Sequence, residues 1–400
     1  MNWLDRLIGR KQALTSIPAF VSYPDAKSGV TVNWQTSLEV TTVLACARVI
    51  AEGIAQAPFQ IMRRRANGVG ADVARDHPLY DLLSRRPNPW QTSFEFRETL
   101  ALHLVLCGNA FVFKNVVGGR VVELIPVEPG RVTVRRRADL SLEYRVRFED
   151  GAAEAVLDGR SLWHLRGPSW NSWMGLESVK LAREAIGLSI ALEDKHATMA
   201  KNSAQTSGVY SIEGALTTEQ FKQLQNWLVA QSTGANAGKP LILDRNAKWT
   251  RQDMTGVDAQ HLETRRYQVE EVCRAMRVMP IMVGHSDKAA TYASAEQMFL
   301  AHAVHTLTPW CERIEQSADV NLLDDERYYT LLDLRAFLRG ALKDQAEYYA
   351  KALGSGGAPA WMTQDEVRQE CDLNPLGGAA GALREPSNVG TAPKEPIDED

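Results

Sequence analysis

A small mixed unit set between two long helices is the arrangement that the hydrophobic pattern of this chain spells out first. From Gly175 to Asn202, Leu181, Ala185, Leu188 and Leu192 recur at helical spacing, and a helix of that length is roughly 40 Å long. A second long helix starts at Asp258 and runs to about Met279, with Leu262, Val269, Val272 and Met276 on one face and Pro280 as its stop. Between them, Val209–Ile212 reads as a strand, and Thr217-Thr-Glu-Gln220 caps a helix carrying Phe221, Leu224, Trp227 and Leu228. Pro240–Leu243 and Lys248–Gln252 read as a pair of strands.

The flanks are different in kind. The N-terminal part, to about residue 176, alternates helix and strand patterns and is α+β. Thr36-Ser-Leu-Glu39 reads as a capping box opening a helix that buries Val43, Ala47, Ile50 and Ile54. Phe59–Arg64, Ala110–Asn115, Val121–Pro126, Val132–Arg137, Leu142–Phe148 and Ser161–Leu165 read as strands, and Phe94–Val105 as a helix stopped at Gly108-Asn109. After the second long helix, Gly284–Ser294 is a polar loop without periodicity. A helix from about Ala295 carries Met298, Leu300, Val304 and Leu307 and is kinked at Pro309. Tyr328–Leu334 is a strand, Arg335–Leu353 a helix, and Thr363-x-x-Glu366 caps a last short helix. Pro375–Asp400 is rich in Gly, Ala and Pro and is expected to be disordered.

Composition narrows the function classes. The 400 residues hold 45 Lys+Arg and 49 Asp+Glu, a net charge of −4, with 44% apolar residues. That balance excludes a wholly disordered chain and a constitutively basic nucleic-acid coat. Residues 354–400 carry nine acids against three bases, a net of −6, which leaves +2 for the rest. The longest apolar stretch, Leu100–Phe113, contains His103 and Asn109 and is too short for a membrane span. The N-terminal segment lacks the basic region and cleavage site of a secretion signal. The five cysteines form no CxxC pair, so neither a zinc site nor a disulfide framework is expected, in keeping with assembly in a reducing cytoplasm.

A search for catalysis returns little. There is no GxxxxGK[ST] phosphate loop. His302-Ala-Val-His305 places two histidines at metal-like spacing without a Glu or Cys to complete a ligand set, so a helix face is the preferred reading. His103 and His164 read as core residues, and Asp324-Asp325-Glu326 as a solvated loop. No nucleophile–base pair has a local signature. No catalytic residue, metal or cofactor is therefore assigned, and a structural or binding role is expected.

The order of short motifs carries a resemblance. The series is His77-Pro-Leu79, Pro87-Asn-Pro89, Cys107-Gly-Asn-Ala110, Leu124-Ile-Pro-Val127, Leu162-Trp-His164, Gly175-Leu-Glu-Ser178 and Ser207-Gly-Val209. It continues with Pro240-Leu-Ile-Leu243, Val278-Met-Pro-Ile-Met-Val-Gly284, Thr291-Tyr-Ala-Ser-Ala-Glu-Gln297, Leu307-Thr-Pro-Trp310 and Thr363-Gln-Asp-Glu-Val-Arg368. Over roughly residues 30–375 the chain resembles the portal proteins of tailed bacteriophages, of the HK97-like type found in phages and prophages. Asp365 departs from the family's more usual Asn, and no functional consequence is expected of it.

The resemblance implies an α+β portal fold. Its parts are an N-terminal arm (1–29), a mixed wing (30–176), a stem helix (177–203), a clip (204–257), a second stem helix (258–280), a tunnel loop (281–295), a wing helix and strand (296–334), a helical crown (335–372) and a tail (373–400). It implies a homo-oligomeric ring, usually of twelve subunits, at one capsid vertex of the virion, assembled in the host cytoplasm. Double-stranded DNA would pass through the channel without sequence recognition. The terminase large subunit, a head-completion or adaptor protein and the major capsid protein would be partners, and no membrane is involved. The alternative is a passive head–tail adaptor or minor capsid protein.

Site expectations follow. A conduit must not hold DNA, and each lysine contact repeated around a ring multiplies salt-sensitive attraction, so the channel should be sparsely charged. In the tunnel loop, Asp287 and Lys288 cancel. His285, Lys288, Thr291 and Tyr292 are the expected DNA-channel residues, against a loop that merely orders on its neighbour. The mixed charges of the stem, among them Arg183, Glu184, Arg265, Arg266, Glu270 and Arg277, are read as intersubunit pairs in preference to DNA contacts. Trp227, Arg245 and Trp249 are the expected clip interface, although Trp227 also fits a core position. Arg63-Arg-Arg65 and Arg135-Arg-Arg137 are either a face toward DNA, capsid or neighbour, or solvated strand ends.

Overall fold

The computed structural model describes residues 25–66, 70–147, 154–201, 208–211, 217–232, 248–251, 257–285, 292–334, 342–355, 359–371 and 373–384. The chain divides into two compact units, Met1–Asp333 and Leu334–Asp400.

The first unit opens with α1 (Trp34–Glu39) and α2 (Thr41–Gln56). The capping box is set one turn earlier than the sequence suggests. Asn33 is the cap, its Oδ1 accepting from the N–H groups of Gln35 and Thr36, while Thr36 Oγ1 accepts from the Asn33 N–H. Thr36 is thus already inside a short helix, and extended Val40 separates it from α2. Val43, Ala47, Ile50 and Ile54 are fully buried, as the spacing requires. Gly53 lets α2 approach closely, since a Cβ there would lie 2.8 Å from Leu307 Cδ2.

Then come β1 (Phe59–Arg64), β2 (Ala71–Val73), α3 (Tyr80–Ser84) and α4 (Ser93–Cys107), the last with a Thr92/Glu95 capping box and left-handed Gly108 at its end. Strands β3 (Asn109–Val117), β4 (Arg120–Val127), β5 (Val132–Arg136), β6 (Leu142–Val146), β7 (Ala155–Leu157) and β8 (Leu162–Arg166) build two antiparallel sheets, ordered β4-β3-β8 and β5-β6-β7. Phe111, Phe113, Ile125, Val127, Tyr144, Val146 and Leu162 from both sheets share one core.

The first long helix departs from its pattern. It is two pieces, α5 (Ser178–Leu181) and α6 (Arg183–Lys201), broken at Ala182 (φ −89°, ψ 7°). Val179 and Ile186, seven residues apart on one face, are buried, while Leu181 is 66% exposed and Leu188 also faces solvent. The expected stripe is therefore not the buried face within one chain. Between the long helices, β9 (Gly208–Ser211) pairs antiparallel with β10 (Lys248–Arg251), and α7 (Thr218–Ser232) has the expected cap, Gln220 N–H donating to Thr217 Oγ1. The strand partner seen for Lys248–Arg251 is thus 208–211; Pro240–Leu243 lies outside the described residues.

The second long helix, α8 (Val257–Met276), stops before Pro280. Arg277 turns left-handed (φ 57°). Its N–H donates to the Arg274 carbonyl at 3.2 Å, and the Val278 N–H to the Cys273 carbonyl at 2.9 Å, the two bonds of a Schellman end. Val272 and Met276 are buried, as expected of its apolar face. The following helix, α9 (Tyr292–His302), starts inside the stretch expected to be loop. A π-helical turn, Ala303–Leu307, joins it to α10 (Thr308–Leu322). The Thr308 N–H reaches back to the Ala303 carbonyl. This extra residue, rather than a simple kink, accommodates Pro309, which has no N–H and would crowd the preceding turn. Met298, Leu300 and Val304 are exposed; Leu307 alone of that face is buried. His302 is buried while His305 is exposed, so the pair does not share a ligating face. Strand β11 (Tyr328–Leu332) returns to pair with β1, Phe59 opposite Leu332, completing the sheet β11-β1-β2.

The second unit has α11 (Leu342–Ala352) and α12 (Gln364–Glu370), the latter with the expected Thr363/Glu366 capping box. The Tyr349 hydroxyl donates to Glu370. The tail is not structureless from residue 373: Asp365 accepts the N–H groups of Leu376 (2.7 Å) and Gly377 (2.9 Å), and a 3-10 turn spans Gly378–Gly381. Each carboxylate oxygen takes one of these N–H groups, which gives Asp365 a structural task.

Candidate functional site

Three motifs far apart in sequence meet at one buried amide. Asn109 begins β3 immediately after the left-handed Gly108. Its Oδ1 accepts the Gly175 N–H at 2.8 Å, and its Nδ2 donates to the carbonyls of Cys107 and Gly175. His164 Nε2 lies 3.1 Å from the same Oδ1 and therefore carries the proton, leaving Nδ1 to accept from the Tyr144 hydroxyl at 3.4 Å. The imidazole stacks on Phe111, with centroids 4.5 Å apart, and burial pushes its pKa down to about 3. Glycine is required on both sides of the contact: a Cβ on Gly108 would lie 2.1 Å from the Leu176 carbonyl oxygen, and one on Gly175 would lie 1.8 Å from that of Gly108. This clasp fixes the 167–177 connection that leads into the first long helix. A second clasp joins Asn88 to β4, its Nδ2 donating to the Leu124 carbonyl at 3.0 Å while the Leu124 N–H donates to Pro87. These motifs are framework, not chemistry.

The junction of α2, α6 and α8 with the segment after α8 is the other notable place. The Thr306 hydroxyl donates to the Arg277 carbonyl, tying the π turn to the end of α8. Buried Cys46 and Cys273 bring their sulfurs to 3.8 Å where α2 meets α8. Pro280–Val283 form a 3-10 turn ending at left-handed Gly284, and the His285 N–H donates to the Pro280 carbonyl. Half-buried His285 lines a cleft with Arg265 and Arg266.

Of the residues named from sequence, His285, Arg265 and Arg266 are thus brought together. Arg265 lies 3.6 Å from Glu193 on α6, an ion pair within the chain. Arg183 pairs with adjacent Glu184 at 3.5 Å, and Glu184 also accepts the Lys27 N–H. Glu270 and exposed Arg277 show no ion pair among the described residues. Tyr292 begins α9 rather than standing in a loop. Trp227 lies on α7 and Trp249 on β10, opposite Tyr210. Lys288, Thr291 and Arg245 lie outside the described residues. Arg63 and Arg65 are paired with Asp76 and Asp72, and Arg63 and Arg64 sit over the rings of Tyr328 and Tyr329. Asp325, of the acidic trio, is held by Arg327, whose hydrogen bonds lower its carboxyl pKa.

Two buried cations escaped sequence reading. Arg97 donates through Nε and Nη2 to the Ala55 carbonyl in the last turn of α2, and Lys114 Nζ donates to the Asn321 carbonyl at the end of α10. Each places positive charge at the negative end of a helix. Burial lowers both pKa values, that of Arg97 to about 10. A lone cation in an apolar strand or helix gives no sign in sequence of the carbonyl it will meet. Among the described residues no group of three or more His, Cys, Asp or Glu could hold a metal ion, and no helix is long and apolar enough to cross a membrane.

Known proteins place these features in a family. The phage portal protein family model matches residues 41–372. The portal protein of Enterobacteria phage HK97 is 27% identical over 90% of this chain and 84% of its own length. A probable portal protein of Streptomyces phage phiC31 is 29% identical over 93% and 83%. Among solved structures, a chain of the virion of a native gene transfer agent particle aligns with TM-score 0.60 at 22% identity, covering 86% of this chain and 92% of that one. An HK97-family phage portal protein from Corynebacterium diphtheriae aligns with TM-score 0.57 at 17% identity, covering 76% and 95%. A neck of the native gene transfer agent particle, described with C12 symmetry, also shares the fold. Matched along most of its length, this chain belongs to the phage portal protein family.

Proposed function

We propose that the chain is the portal subunit of a tailed-phage-type particle: it forms a homo-oligomeric ring at one capsid vertex and encloses the channel through which DNA is packaged and ejected. Family membership over residues 41–372 carries this reading. The exposed apolar surface on helices supports it. Leu181 on α5, Leu188 on α6, Tyr267 on α8, and Met298, Phe299 and Leu300 on α9 are uncovered in the single chain, and such surface marks association. A second copy of the chain is its natural cover. Twelve copies is the number proposed, from the symmetry described for the related neck.

The finer assignments are proposals of the same kind. The wing is 30–176 with 296–334, the stem 177–203 and 258–280, the clip 204–257, the tunnel loop 281–295 and the crown 335–372. Arg183, Glu184, Arg265, Arg266, Glu270 and Arg277 supply contacts between subunits in addition to the pairs made within one chain. Trp227, Arg245 and Trp249 face the terminase large subunit and, after filling, the head-completion protein. Lys288, with His285, Thr291 and Tyr292, lies next to DNA as a sparse, sequence-independent contact. The role is structural rather than catalytic. In a packaging assay, Lys288→Ala is expected to lower DNA packaging or retention several-fold with ring assembly intact; unchanged packaging would remove Lys288 from the channel.

A further inference from the structure

The cleft between the start of α2 and the two long helices has the features of an anion site. It holds about 260 Å³ and is lined by Thr41, Thr42, Arg265, Arg266, Gln268 and His285, among others. Helix α2 has Val40 as its N-cap with no side-chain cap, so no side chain caps the N–H groups of Thr41 and Thr42, the two first-turn residues that line the cleft, whereas the Val43 N–H is taken by the Val40 carbonyl. Over 16 residues its aligned peptide dipoles leave a partial positive charge at that end. Gln268 is only 8% exposed, and its Oε1 is fully buried without a hydrogen-bond partner. Assigning O and N in a side-chain amide is a choice of hydrogen-bond network, and turning it places the NH₂ donors inward. His285 Nε2 is likewise buried and unpartnered.

The charge agrees. Glu193 also lines the cleft and balances Arg265 at 3.6 Å. Arg266 has no ion-pair partner among the described residues, so one guanidinium remains in addition to the helix end. From these donors we infer that the cleft binds a phosphate-type oxyanion, received by the first N–H groups of α2 and by Arg266, with the Gln268 amide and His285 completing its shell. The ligand is either free phosphate or a phosphodiester of duplex DNA. The site lies within one subunit and does not depend on ring assembly.

The test is calorimetric titration of the purified full chain with inorganic phosphate at constant ionic strength, chloride serving as the control anion. Saturable binding at one site per chain is expected, weakened at least tenfold by Arg266→Ala and by Gln268→Leu, with Arg266→Lys recovering part. Circular dichroism melts check that each variant folds. Repeating the titration with a short duplex separates the two sources. Competition by phosphate assigns the DNA backbone to this cleft, and duplex binding untouched by phosphate restricts the cleft to free phosphate. Absence of saturable phosphate binding, or equal binding by folded Arg266→Ala and Gln268→Leu, overturns the inference. A ring structure with a neighbour's carboxylate seated in the cleft does so too.

Discussion

Asn109 shows how much one side chain can hold in this fold. It satisfies both the N–H and the carbonyl of Gly175 and fixes the His164 tautomer. Asn109→Ala strands a buried N–H and an imidazole donor, each costing about 1–3 kcal/mol. Denaturant unfolding should show a loss of roughly 2–4 kcal/mol. His164 makes the clasp acid-sensitive. The unfolded imidazole titrates near 6.5, while burial holds the folded one near 3. As pH falls below 6.5 the unfolded chain takes up the proton first, so this contribution to stability is complete above 6.5 and is lost progressively toward pH 3. Stability measured between pH 7 and 4 should therefore decline, with a slope about one proton shallower in His164→Gln. Sequence reading placed His164 in the core through its apolar neighbours. It could not find the Asn109 partnership, because 55 residues of chain separate the two.

At the scale of elements, regular periodicity was legible and local departures were not. The insertion of a small unit between two long helices, the Thr217 and Thr363 caps and most strands follow from spacing and turn chemistry. The break at Ala182, the π turn before Thr308 and the Schellman end at Arg277 do not, because each is a backbone adjustment set by what packs around it. The exposed Leu181 and Leu188 carry the same lesson: a periodic stripe reveals that a face will be covered, not which chain covers it. Arg277 gives this a test. A left-handed non-glycine residue costs about 1 kcal/mol. Arg277→Gly should therefore raise the melting stability of the isolated chain by roughly 0.5–1 kcal/mol. If its side chain serves between subunits, the same change should weaken ring assembly, which analytical ultracentrifugation measures. Weaker chain stability would refute the backbone account, and unaltered assembly the interface role.

Across the whole molecule, charge and surface fit a conduit. The acidity belongs to residues 354–400, and the remainder carries a net charge of only +2. In the proposed channel, duplex DNA would meet cations that are nearly balanced by acids, which keeps the net attraction small. Portal identity was legible from an ordered set of short motifs. The structure explains several of them physically, since Pro87-Asn-Pro89 meets Leu124 and Cys107-Gly-Asn-Ala110 meets both His164 and Gly175. The central claim is that many copies close into a ring whose neighbours cover the apolar faces of α6 and α9. Electron microscopy of the assembled full chain tests it most directly. The account predicts closed rings, twelve-fold in symmetry, with an axial channel and with Leu181, Leu188 and Phe299 buried between adjacent subunits. Rings without a channel, or neighbours that leave those residues in solvent, would contradict it.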